Sequence, residues 1–86
     1  MSHEWFSEEL SCAVGVYNAE LNVRDSIARV KGNKEIAGSL KRKILRELKE
    51  RKKLLKRDRR QIISGLPLGE QLIFDNVAAE IRKGGQ

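Results

Sequence analysis

Along the first third of the chain, apolar side chains recur at helical spacing on two lines at once. At 100° per residue, Phe6, Leu10, Ala13, Val14, Tyr17, Leu21 and Ala28 fall on one stripe, and Trp5, Cys12, Val16, Ala19, Val23, Ile27 and Val30 on a second. The spacing predicts a helix over about 5–31. Ser2 and Ser7 are its candidate N-caps, Glu8 and Glu9 complement the positive end of its dipole, and Lys31-Gly32 is its stop. Ser11, Asn18, Asn22, Asp25 and Arg29 leave only a narrow polar face. A helix apolar over more than half its circumference needs two neighbours.

A second helix is expected over about 34–64, capped by Asn33 and ended by Gly65, with Leu66-Pro67 forbidding continuation. The short Gly32-Asn33 connection folds the first two helices into an antiparallel hairpin. On the second helix Ala37, Leu40, Ile44, Leu45, Leu48, Leu55, Ile62 and Ile63 share an arc. Leu48, Leu55 and Ile62 repeat every seven residues, but the companion positions read Ile44, Arg51 and Asp58, so a coiled-coil seam placed there is broken in its second half. Arg51 and Asp58 are expected to snorkel outward; alternatively, two antiparallel copies would bring Arg51 of one near Asp58 of the other. A third helix over about 68–83 carries Ile73, Phe74, Val77, Ala78 and Ile81 on one face and can cover one stripe of the first. The expected fold is all-α: a long antiparallel helical hairpin with a shorter third helix packing back on it, in one small domain over residues 1–86.

Composition supports this reading. With one proline and few aromatics, helices are favoured over sheets, and a chain of 86 residues buries only a modest core. The net charge of +6 is unevenly placed: residues 41–60, KRKILRELKERKKLLKRDRR, hold twelve basic and three acidic side chains, giving +9 against −3 for the rest. Arg42, Arg46, Lys49, Lys53, Lys56 and Arg60 lie opposite the apolar arc in steps of four and three, a straight stripe about 27 Å long at 1.5 Å per residue. Like charges at i,i+4 cost a few tenths of a kcal/mol per pair, so Arg42–Arg46, Lys49–Lys53 and Lys56–Arg60 are repulsions that a bound polyanion would relieve. A solvated face is the competing reading, since part of this charge suits the negative end of the helix dipole.

Chemistry for catalysis is thin. His3 is the sole histidine, Cys12 sits on an apolar stripe and is expected to be buried, and Glu8 and Glu9 point about 100° apart. SGLPLGE lacks the lysine and strand of a phosphate-binding loop, and no His/Cys set has zinc-ligand spacing. No enzyme, cofactor or metal site is expected. NKEIAGSL resembles the first half of a helix-turn-helix, with Ile36, Ala37 and Leu40 in the apolar, small and apolar places; Lys41 stands at the expected glycine, Arg42, Glu47 and Glu50 at expected apolar positions. No family is claimed from it.

The lone cysteine, the absence of a ~20-residue apolar run and the acidic N-terminus read as a soluble cytoplasmic protein. The expected function is non-enzymatic binding of nucleic acid, duplex or structured, through the six-residue stripe. Few aromatics are available to stack on single strands. The alternative is a protein-interaction module that uses apolar helix faces, with an acidic protein or a second copy of the chain as partner. A basic amphipathic helix can also lie on an anionic membrane, a third option ranked last because the hairpin already uses the apolar arc.

Overall fold

The computed structural model describes residues 7–84. Three helices follow in order: α1 (Glu8–Gly32), α2 (Gly38–Ser64) and α3 (Leu68–Gly84), with no strand among the described residues. α1 runs antiparallel to α2 and packs along it, and α3 packs on α1, so the all-α hairpin with a third helix is the observed architecture.

Local chemistry sets most of the boundaries. Ser7 caps α1: its Oγ accepts the Leu10 N–H at 3.1 Å and donates to the Glu70 carboxylate at the start of α3. Residues 5 and 6, given to this helix by the sequence pattern, lie outside the described residues together with Ser2, His3 and the final Gly85 and Gln86. Gly65 ends α2, its N–H reaching the carbonyls of Ile62 and Ile63; Leu66 follows with a 3.0 Å bond to Ile63, and Pro67 opens the way to α3. α3 closes one residue later than expected, at Gly84.

The start of α2 is a correction. Asn33 does not cap it: the Asn33 N–H bonds the Val30 carbonyl at the end of α1, and its Oδ1 accepts the Glu35 N–H at 2.8 Å. That turn, built on a side-chain amide, holds residues 33–37 as a loop, and α2 begins at Gly38 with Ala37 as a cap that makes no side-chain bond. NKEIAGSL is therefore loop plus first turn, and Gly38 costs no interior helical position. The Lys41 ammonium reaches back to the Lys31 carbonyl at 3.4 Å, closing the hairpin tip.

α1 gets the two neighbours its stripes require. Leu10, Ala13 and Tyr17 are buried in a cluster with Leu66, Phe74 and Ala78, joined by Val14, Leu21, Ile62, Ile63, Ile73 and Ile81, so α3 covers the first stripe from Leu10 to Leu21, whereas Ala28 is exposed. Val16, Ala19 and Val23 of the second stripe lie along α2 beside Leu48, Leu55 and Ile62, on the edge of the seam. Cys12 is a further correction: it lies on the flank of α1 and is exposed.

α3 is shorter than the hairpin and covers only its open end. The molecule is accordingly long, 47 × 25 × 19 Å, with a radius of gyration of 15.5 Å against about 12 Å for a compact chain of this size. A three-helix base continues into a two-helix arm.

The hairpin seam is not the column that the leucine repeat suggested. The positions withdrawn from solvent on α2 are Lys41, Ile44, Leu45, Leu48, Lys52, Leu55, Arg59, Ile62 and Ile63, and with Ile44 and Ile63 set aside they step alternately by four and three on to buried Leu66. The companions of Leu48, Leu55 and Ile62 toward α1 are thus Leu45, Lys52 and Arg59, whereas Arg51 and Asp58 are exposed. Ala37 and Leu40, assigned to the apolar arc, are exposed too.

Candidate nucleic-acid interface

Arg42, Arg46, Lys49, Lys53, Lys56 and Arg60 are all exposed on α2. A single unbroken helix carries them, so their line is as straight as the helix axis and spans about 27 Å. Among the described residues only Arg24–Asp25 and Arg59–Glu20 come within ion-pair distance, so none of the six is neutralised by the fold. Glu47, Glu50 and Asp58 are exposed beside the line and do not pair with it.

The fold keeps the charge separation of the linear sequence and assigns it to two parts of the molecule. On the arm side of the Glu20–Arg59 pair, residues 21–58 hold fourteen basic and five acidic side chains, net +9. The described base, 7–20 and 59–84, holds four basic and six acidic, net −2. The hairpin brings Arg29, Lys31 and Lys34 beside Lys41, Arg42 and Lys43 at the tip, so the positive field is concentrated at one end of a 47 Å body.

What holds the stripe's helix in its rotation is a largely buried cluster centred on Glu20 and Arg59. Glu20 lies on the core face of α1 with its side chain 7% exposed, and its carboxylate accepts bonds from Nε and Nη2 of Arg59, the latter at 3.3 Å. The Arg59 guanidinium stands over the Tyr17 ring, 5.4 Å from its centroid. Tyr17 meets Phe74 edge to face at 5.9 Å, and its hydroxyl accepts from Arg82 Nη1 at 3.2 Å. One cluster thus ties all three helices. The available signal was the step of three from Tyr17 to Glu20, which continues the buried line Leu10, Ala13, Tyr17 with a charge that must find a partner.

On the side of the hairpin away from α3, two depressions of about 340 and 320 Å³ follow one another along the α1–α2 seam. Cys12, Val16, Ala19, Asn22, Val23 and Ser26 line them from α1, and Leu48, Arg51, Leu55, Asp58, Gln61 and Ile62 from α2. Asn22 and Gln61 apart, both strips step alternately by four and three. The leucine column with Arg51 and Asp58 is therefore the edge of this groove.

Among the described residues no helix is long and apolar enough to cross a membrane. In the comparisons with known proteins, no family model, curated protein or solved structure matches the chain.

Proposed function

We propose that the protein is a non-enzymatic nucleic-acid-binding protein that lays the α2 stripe along the phosphates of a duplex or structured strand. The observation carrying this reading is that six exposed cations, three like-charged i,i+4 pairs among them, run the length of α2 without an ion-pair partner among the described residues. A polyanion relieves that repulsion and releases its own counterions. Phosphates carry no base information, so binding is of low sequence specificity. The lone exposed cysteine fits a reducing, cytoplasmic setting.

The test is duplex binding against salt. Engagement of four to six phosphates gives a log–log slope of roughly −4 to −5 in the association constant; a slope near zero removes this reading.

A second reading, docking on another protein through an apolar helix face, draws on Leu68 and Leu72, which face solvent on α3 at 72% and 58% exposure. It predicts that Leu72→Gln weakens partner capture and leaves duplex binding unchanged.

A further inference from the structure

The groove on the α3-free side of the hairpin is a face built for another helix. Two strips side by side offer holes for the knobs of a further helix, and the α1 strip is mostly small, Cys12, Ala19 and Ser26 alternating with Val16 and Val23 and with Asn22 beside them, which lets a neighbour approach closely. No residue of α3 lines it.

The charges on its rim say what the occupant is. Arg51 and Asp58 are the ionic residues lining the groove; they are exposed, opposite in sign and one heptad apart on α2. Their sum is zero, so the groove does not draw a polyanion. A row that reads plus then minus reads minus then plus when reversed, so it is complementary to itself in the antiparallel sense. A two-fold axis crossing α2 between Leu54 and Leu55, midway from Arg51 to Asp58, sets Arg51 of each copy against Asp58 of the other. Leu55, which lines the groove, falls beside that axis.

We infer that this groove is the interface of an antiparallel homodimer, in which two hairpins close into a four-helix bundle registered by reciprocal Arg51–Asp58 pairs. The basic stripe lies about 150° round α2 from this face, so each copy keeps its stripe exposed. The dimer stands independently of the nucleic-acid reading, because the two use different faces.

Sedimentation equilibrium of the full chain at micromolar concentration tests it. The expected result is a dimer that either single reversal, Arg51→Asp or Asp58→Arg, weakens about tenfold, since two equivalent pairs turn repulsive, and that the double swap restores. Both side chains are exposed, so helix content by circular dichroism stays constant. Ala19→Gln, which fills the groove floor, dissociates the dimer without touching the rim charges. A monomer throughout, a dimer indifferent to the single reversals, or a swap that fails to restore association overturns the inference.

Discussion

The carboxylate of Glu20 on α1 is held by the guanidinium of Arg59 on α2, thirty-nine positions along the chain, and that guanidinium also caps the Tyr17 ring at 5.4 Å. With side-chain exposures of 7% and 19%, both ions are largely out of water. The pair excludes rotations of α2 that would leave the carboxylate bare.

Breaking one side of this pair is therefore worse than removing both. Arg59→Leu strands a buried carboxylate and is expected to cost about 3 kcal/mol, whereas Glu20→Leu with Arg59→Leu stays close to the parent stability. Urea denaturation of the three variants gives the comparison. Equal losses for single and double changes would mean that the pair contributes through packing alone.

Tyr17→Phe keeps the ring for Arg59 and Phe74 and deletes only the hydroxyl that accepts from Arg82. The expected loss is about 1 kcal/mol, or about 4–8 °C in melting temperature for a domain of this size. A loss several times larger would show that the hydroxyl organises the α1–α3 contact.

On the stripe, Lys49→Ala with Lys53→Ala removes two exposed cations that repel each other. Stability should stay within about 0.5 kcal/mol, while the salt slope for duplex binding falls in magnitude by roughly 2. Arg51→Ala, off the stripe, should leave the slope unchanged. If it lowered the slope as Lys49 does, the contact would be diffuse charge and not a line.

The start of α2 lacks a side-chain cap and has no acidic residue in its first turn. Ala37→Asp supplies an acceptor for the orphan N–H groups and a charge favoured by the dipole, and is expected to stabilise by about 1 kcal/mol in thermal unfolding. No gain would indicate that the loop from Asn33 to Ala37 holds the backbone out of capping geometry.

Sequence by itself determined the three helices, their antiparallel order and the basic stripe. These rest on interactions between near neighbours in the chain. The Ser7 hydroxyl meets the Leu10 N–H within one turn, Pro67 cannot continue α2, and the positions of Arg42 through Arg60 follow from helical pitch alone because solvent imposes nothing further.

Only the tertiary structure decided which line of α2 faces α1. Leu48, Leu55 and Ile62 belong equally to a column with Arg51 and Asp58 and to one with Lys52 and Arg59, and local sequence does not separate the two. The choice falls to Glu20, a buried carboxylate that has to be answered by a cation from the neighbouring helix. Asn33 differs for a local reason: its Oδ1 can accept from a helix N–H or from the N–H two residues on, and it takes the second, Glu35 in the loop.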